Sequence, residues 1–142
     1  MEVTIERKSG QFHLESFNED GLSVQTDASE SIGGTNQGVR PMQMVLMAMG
    51  SCSAIDVISI LQKQKQVLDD IKINIRAQRE EGKVPSLFTH IDIHFKLFGD
   101  IEDKKAKRAV ELSMDKYCSV AQILKKTADI GYTFEIINEK KP

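Results

Sequence analysis

The sequence lacks an excess of charge of either sign. Its 142 residues include 19 lysines and arginines and 21 aspartates and glutamates, which gives a net charge of -2. The basic residues are spread along the chain, whereas nucleic-acid binding needs a basic patch that attracts phosphates. We therefore expect no nucleic-acid partner. No shift in composition marks a domain boundary either, and we predict one globular domain over residues 1–142.

Signal-like apolar runs and cysteines are also scarce. The first residues alternate polar and apolar side chains and contain no apolar run of the kind found in signal peptides. We therefore expect a cytoplasmic protein. A chain of this length buries enough surface to fold without a metal or a disulfide, and no cofactor is expected. The chain has two cysteines, Cys52 and Cys118. Because the cytoplasm keeps thiols reduced, we expect them to be free or redox-active rather than a structural disulfide.

One long apolar segment runs from Arg40 to Leu61, with Cys52 at its middle. Pro41 suits the first turn of a helix, where its missing N–H would have no partner. About 20 apolar residues suffice to cross a bilayer, but Asp56 near the centre would cost roughly 3 kcal/mol on insertion. The segment therefore predicts a helix enclosed by protein, with no membrane partner. It is apolar on nearly every side, so we expect a second copy of the chain to complete its cover.

Alternating and helical patterns predict the elements around this helix. The predicted elements are strands at residues 2–7, 11–17 and 22–26, the central helix, strands at 71–76 and 90–97, helices at 102–117 and 119–127, and a strand at 132–137. Strands gathered into hairpins, apart from the helices, are typical of an α+β fold rather than a doubly wound sheet. We predict antiparallel sheets around a long buried central helix.

Two sequence patterns that could indicate ligand binding are better explained as a loop and as a strand face without ligands. The loop at residues 28–39 is rich in glycine but lacks the Gly-Lys-Ser/Thr ending of a phosphate-binding loop, which favours a flexible connection. His90, Asp92 and His94 share one strand face, yet one strand supplies only part of a metal site. A solvated strand face is the better interpretation, and no metal site is expected.

Cys118 precedes a predicted helix start. Ser119 and Gln122 have the spacing of a capping box, which would place Cys118 just outside the helix N-terminus. The unpaired N–H groups and the helix dipole favour an anion at that point. We therefore expect a lowered pKa for the Cys118 thiol.

Two stretches of the sequence carry a resemblance to a known family. Pro41 begins an apolar helix with Cys52 eleven residues on, and Cys118 opens a late helix as Cys-Ser-Val-Ala. Together with the element order, this pattern resembles the OsmC/organic hydroperoxide resistance family. The resemblance implies an intertwined homodimer that reduces organic hydroperoxides and is regenerated by a thiol reductant. It assigns Cys52 as the attacking thiol and Cys118 as the resolving thiol.

The sequence departs from the family pattern beside the proline. The family has a glutamate directly after the proline, which holds an arginine that activates the thiol, whereas Met42 and Gln43 stand here. Arg40 is the candidate for that arginine, because a guanidinium near Cys52 would favour the thiolate. Without the carboxylate a second function stays open: a non-catalytic, small-molecule-binding or redox-sensing protein of the same fold.

Overall fold

The computed structural model describes residues 1–138. The helices and strands are, in order, β1 (Val3–Ser9), β2 (His13–Asn18), β3 (Ser23–Thr26), α1 (Pro41–Lys63), β4 (Asp70–Arg79), β5 (Phe88–Phe98), α2 (Asp103–Leu112), α3 (Ser119–Leu124) and β6 (Asp129–Ile137). A short 3-10 helix, Glu30–Ile32, precedes α1, and a π-helical turn, Ser113–Tyr117, joins α2 to α3. The predicted α+β class and order of elements are confirmed. The chain forms two compact units, of which the second begins at Ala48.

The first unit contains an antiparallel meander in the order β1-β2-β3, as predicted. Its register places Ile5, Ser16 and Val24 side by side on one face. The apolar side chains of Val3, Ile5, Leu22 and Val24 are between 51% and 71% exposed. The meander therefore has an apolar face that is open to solvent in the single chain.

The loop between β3 and α1 is organised around a buried carboxylate. Asp27 accepts hydrogen bonds from the backbone N–H groups of Ala28, Thr35 and Gln37 and from the Thr35 hydroxyl. Burial acts to raise the pKa of Asp27, but these hydrogen bonds outweigh it and lower the pKa to about 2. The segment predicted as a flexible connection thus has a defined set of hydrogen bonds, four of which converge on the one carboxylate that precedes its glycines.

Helix α1 begins at Pro41, as predicted. The Gln43 side-chain oxygen accepts a hydrogen bond from the backbone N–H of Arg40 at 3.0 Å, which is one half of a capping box. Within residues 1–138, α1 is the one helix long and apolar enough to cross a membrane by length and composition alone. A core helix of a soluble protein meets the same criterion.

Within one chain α1 is only partly enclosed. Five of its 23 residues are buried, and these lie in one stripe of its second half: Met49, Gly50, Ser53, Val57 and Leu61. A Cβ added at Gly50 would lie 3.0 Å from the Ile75 side chain of β4, so this stripe packs closely on the second sheet. Met47 and Ile55, in contrast, are 51% and 68% exposed. The buried stripe is covered by the second sheet and by Ser113 and Cys118, which donate to the Ser53 and Met49 carbonyls. The exposed positions of α1 lie outside this stripe.

The second unit contains a sheet in the order β4-β5-β6. Strands β4 and β5 are antiparallel, as predicted, but β6 runs parallel to β5, so the prediction of antiparallel sheets was wrong for this strand. The helices between β5 and β6 supply the crossover that parallel neighbours need. One face of β5 forms the core, as predicted, with Ile91, Ile93, Phe95 and Leu97 each at most 1% exposed.

Candidate functional site

The structure brings two of the three predicted site residues together in the second unit. The Cys52 and Cys118 sulfur atoms and a carboxylate oxygen of Asp56 lie within 4.8 Å of one another. Asp56 follows Cys52 by four residues, so both side chains lie on the same face of α1. Cys118 reaches this face from the end of the π-helical turn. The site is therefore a pair of thiols with a carboxylate beside them.

The Cys118 thiol is enclosed. It is 0% exposed, accepts a hydrogen bond from the Ala121 backbone N–H at 3.4 Å and donates to the Met49 carbonyl at 3.7 Å. Burial raises the pKa of Cys118 to about 11, with smaller contributions in the same direction from Cys52 and Asp56. The predicted lowered pKa is therefore wrong, because the single N–H from Ala121 does not offset burial.

The start of α3 also differs from the predicted capping box. Cys118, not Ser119, is the N-cap, since its sulfur accepts the Ala121 N–H and its backbone is extended. The Gln122 side chain donates instead to the Met114 carbonyl at 3.0 Å. The helix begins one residue earlier than the capping-box prediction required, and this holds the sulfur atom against the first turn.

Side chains from neighbouring elements clamp the π-helical turn before Cys118. The Lys125 ammonium donates to the Met114 carbonyl at 2.8 Å and to the Asp115 carboxylate at 3.1 Å. The Tyr132 hydroxyl donates to Asp115 at 2.7 Å, and burial together with Asp115 raises the pKa of Tyr132 to about 12. Turns of this kind occur often at functional sites. Here these hydrogen bonds hold the turn in place, and Cys118, which follows it, is thereby held beside α1.

Ser113 orients the Asp56 carboxylate. The buried Ser113 hydroxyl lies 3.1 Å from Asp56 Oδ2 and 3.3 Å from the Ser53 carbonyl, and donates to both. The sequence reasoning used Asp56 only as an argument against membrane insertion. Its spacing of four residues from Cys52 was the signal that could have placed it in the site. Ser113 had no such signal, because 57 residues separate it from Asp56.

Arg40 belongs to the first unit. Its guanidinium donates to the Gly38 carbonyl at 3.0 Å and to the Asn36 side-chain oxygen at 3.2 Å. Both hydrogen bonds hold the loop that leads into α1. A role for Arg40 beside Cys52 stays a prediction.

The histidines of β5 form no converging ligand set in the described part of the chain. His90 contacts Asp92 at 3.1 Å, whereas His94 contacts Thr133 at 2.7 Å and Glu135 at 3.2 Å. Among residues 1–138, ligand-type side chains converge at the two cysteines and Asp56 instead. On this strand face His90 and His94 are half-buried and Asp92 is exposed.

Comparison with known proteins assigns the chain to a family. The model of the OsmC-like protein family matches residues 34–133. The chain belongs to the OsmC-like family. Protein YhfA of Escherichia coli K12 is 50% identical to this OsmC-like chain over 98 residues, which is 68% of the chain and 72% of YhfA. The family assignment made from the sequence is confirmed.

Solved structures share the OsmC-like fold over nearly the whole chain. The crystal structure of a hypothetical protein from Aquifex aeolicus VF5 is 33% identical, with a TM-score of 0.84 over 98% of this chain and 97% of that one. An organic hydroperoxide resistance protein OsmC from Legionella pneumophila is 15% identical, with a TM-score of 0.70 over 94% and 96%. At 15% identity, the similarity to the Legionella pneumophila protein is one of fold alone.

Proposed function

We propose that this OsmC-like protein is a thiol-dependent peroxidase that reduces organic hydroperoxides. The observation that carries the proposal is the approach of the Cys52 and Cys118 sulfur atoms to within 4.8 Å in a fold of this family. Structural neighbours from Legionella pneumophila and Elizabethkingia anophelis are named as organic hydroperoxide resistance proteins, which supports the substrate class. The oxidised product would be a disulfide between the two cysteines.

The different exposure of the two thiols supports the assignment of their roles. Cys52 is partly exposed, whereas Cys118 is fully buried. A hydroperoxide can therefore approach Cys52 more easily, and the thiolate is the reactive form. Cys118 has a raised pKa and remains a thiol at neutral pH, which suits a residue that reacts only after its neighbour has been oxidised.

The reaction balances with these two thiols and one hydroperoxide. The Cys52 thiolate attacks the distal peroxide oxygen, the O–O bond breaks, and the alkoxide leaves as an alcohol after taking a proton. Cys52 is now a sulfenic acid. The Cys118 sulfur attacks the Cys52 sulfur, the S–O bond breaks, and the departing hydroxide takes a proton to leave as water. A dithiol reductant then returns the disulfide to two thiols.

Asp56 is the group through which the Cys118 proton would leave in this proposal. Because Cys118 is protonated at neutral pH, its attack needs a base. The Asp56 carboxylate lies within 4.8 Å of both sulfur atoms, and Ser113 fixes its orientation. A short movement of Cys118 towards the sulfenic acid would let Asp56 accept this proton and pass it to the departing hydroxide.

The proposal retains Arg40 as the cation that favours the Cys52 thiolate. Its guanidinium would act by charge and hydrogen bonding, in place of the arginine that a glutamate orients elsewhere in the family. Met42 follows the proline here and has no carboxylate. The side-chain oxygen of the next residue, Gln43, accepts a hydrogen bond from the Arg40 backbone N–H.

The proposal also includes a cytoplasmic homodimer with a two-fold interface. Its support is the apolar surface that the single chain leaves open, namely Val3, Ile5 and Val24 on the first sheet and Met47 and Ile55 on α1. Large exposed apolar patches mark interaction sites in soluble proteins. Cys52 lies on α1, so the partner would come close to the site.

A second candidate is a binding or redox-sensing protein that does not turn over. The absence of the family glutamate favours it, since Met42 and Gln43 stand at that point. Turnover distinguishes the two functions. A sensor would form the disulfide once per chain, whereas a peroxidase would consume hydroperoxide continuously when a dithiol is supplied.

The experiment is a thiol titration of the reduced protein after treatment with an organic hydroperoxide or with hydrogen peroxide. We expect a loss of two thiols per chain, faster with the organic substrate, and continued consumption with added dithiol. The Cys118→Ser variant should instead accumulate a Cys52 sulfenic acid that reacts with a dimedone probe and then over-oxidises. Retention of both thiols with either peroxide would contradict the proposal.

A further inference from the structure

We propose that the reduced site binds one Zn²⁺ ion per chain through the sulfur atoms of Cys52 and Cys118 and a carboxylate oxygen of Asp56. This inference goes beyond peroxide reduction and does not depend on it. The donor set has two soft thiolate ligands and one carboxylate, and thiolates select Zn²⁺ over harder divalent cations. Three protein ligands leave a fourth tetrahedral position for water.

The geometry of the three atoms is close to that of a zinc site. They lie within 4.8 Å of one another. Zn–S bonds near 2.3 Å and Zn–O bonds near 2.1 Å would place ligand atoms roughly 3.5 to 3.8 Å apart in a tetrahedral site. Side-chain movements of about 1 Å would therefore bring the three ligand atoms to the separations of a zinc site. Cys52 and Asp56, four residues apart on one helix, have the spacing with which a helix offers two ligands to one metal.

Hydrogen bonds from neighbouring groups orient two of the three proposed ligands, Asp56 and Cys118. Ser113 donates to Asp56 Oδ2 at 3.1 Å, which leaves Oδ1 available to an ion. The Ala121 N–H donates to the Cys118 sulfur atom at 3.4 Å and would stabilise it as a thiolate. Such outer contacts orient metal ligands and tune their affinity.

A bound cation would also compensate for a buried thiolate. Cys118 is 0% exposed, and an isolated charge at such a position is costly unless it is paired or coordinates a metal. Zn²⁺ would displace the thiol protons of Cys52 and Cys118 into solvent. The partly exposed Cys52 and Asp56 provide the path by which the ion enters.

Zinc binding and disulfide formation exclude each other because they use the same two sulfur atoms. One hydroperoxide molecule and two protons would convert the zinc-bound thiolates to a disulfide, an alcohol, water and free Zn²⁺. Zinc would thus protect the reduced site, and oxidation would release the ion.

The test is a titration of the fully reduced protein with Zn²⁺ in competition with a chromophoric chelator. A parallel titration with Co²⁺ follows the absorption bands of tetrahedral cobalt and the sulfur-to-cobalt charge transfer. We expect one ion per chain. Cys52→Ser should abolish the charge-transfer contribution of one thiolate. Asp56→Asn removes a direct ligand and should weaken binding by at least the roughly 10- to 100-fold that loss of an outer contact costs. The matched control, Asp100→Asn, changes an exposed carboxylate outside the site and should bind like the wild type.

Circular dichroism of each variant checks the fold. Because Cys118 is buried, Cys118→Ser is at risk of not folding, and the test therefore relies on Cys52→Ser and Asp56→Asn. Equal zinc affinity in the wild type and Cys52→Ser, or undiminished binding by the disulfide form, would overturn the inference. Zinc binding without any peroxide-induced disulfide would instead contradict the proposed peroxidase alone. Disulfide formation without zinc binding would contradict the metal site alone.

Discussion

At the scale of single residues, the site combines one accessible thiol with one that is buried and protonated. Cys52 is partly exposed, Cys118 is 0% exposed, and Asp56 stands within 4.8 Å of both sulfur atoms. Burial makes Cys118 a poor nucleophile on its own. In the proposed mechanism the Asp56 carboxylate acts after Cys52 has been oxidised, when the Cys118 proton must leave.

Asp56→Asn tests that use. An amide cannot accept the proton, so disulfide closure should slow by roughly 100-fold or more, while the Cys52 sulfenic acid still forms. Stopped-flow mixing with an organic hydroperoxide, followed by dimedone trapping at timed intervals, separates the two steps. Asp100→Asn is the control. Closure at the wild-type rate in Asp56→Asn would remove the carboxylate from the mechanism.

Arg40→Met tests the predicted cation. If the guanidinium favours the Cys52 thiolate, alkylation of Cys52 at neutral pH in a Cys118→Ser background should slow several-fold on this change. The matched comparison is Arg79→Met, which removes a guanidinium that donates to the Ser86 carbonyl of its own hairpin. Identical alkylation rates in Arg40→Met and its parent would exclude Arg40 from the site.

At the scale of elements, the loop between β3 and α1 depends on the Asp27 carboxylate. Its pKa is about 2 in the folded chain, below the usual value of about 3.9. The unfolded chain therefore binds the proton more readily, and the stabilising contribution is present above about pH 4 and is lost as the pH falls towards 2. Asp27→Asn should be less stable than the wild type at neutral pH.

Urea unfolding of both proteins at a series of pH values measures this contribution. The difference in unfolding free energy between wild type and Asp27→Asn should shrink steadily between pH 4 and pH 2. The exposed Asp20→Asn serves as the control. A difference that does not change with pH would show that the carboxylate charge contributes nothing to the loop.

The elements show what the sequence could and could not predict. Period-two alternation predicted five of the strands in their correct pairs, and Pro41 marked the start of α1, because these signals are local. The parallel placement of β6 depends on a crossover through α2 and α3, which no local pattern encodes. The π-helical turn Ser113–Tyr117 depends on side chains such as Lys125 and Tyr132, which clamp it from later in the chain.

In the site, too, local sequence signals predicted some features, whereas others depend on residues far apart in the chain. The resemblance to a family points to Cys52 and Cys118, and the structure places their sulfur atoms within 4.8 Å of each other. The helix N-terminus beside Cys118 predicted a lowered pKa, but burial reversed the direction. Burial results from packing by residues far apart in sequence, such as Met49 and Cys118, and cannot be obtained from a capping pattern.

At the scale of the whole molecule, the proposed dimer accounts for an apolar helix that one chain leaves partly open. Ile55→Asp would place a charge on an exposed apolar position of α1 and should weaken the dimer, because an unpaired charge in an interface is costly. Light scattering at micromolar concentration should give a dimer for the wild type and for Gln62→Asp, an exposed polar position on the same helix. A monomeric wild type would contradict the proposed dimer.

The proposed mechanism requires Cys52 and Cys118 to form one redox pair. Its most direct test is mass spectrometry of the wild-type protein, treated with one equivalent of an organic hydroperoxide and digested without reduction. We expect a peptide in which Cys52 is linked to Cys118 of the same chain, and its disappearance after treatment with a dithiol. Oxidised protein without that linked peptide, with Cys52 as a sulfinic or sulfonic acid and Cys118 still a free thiol, would contradict the proposed pairing.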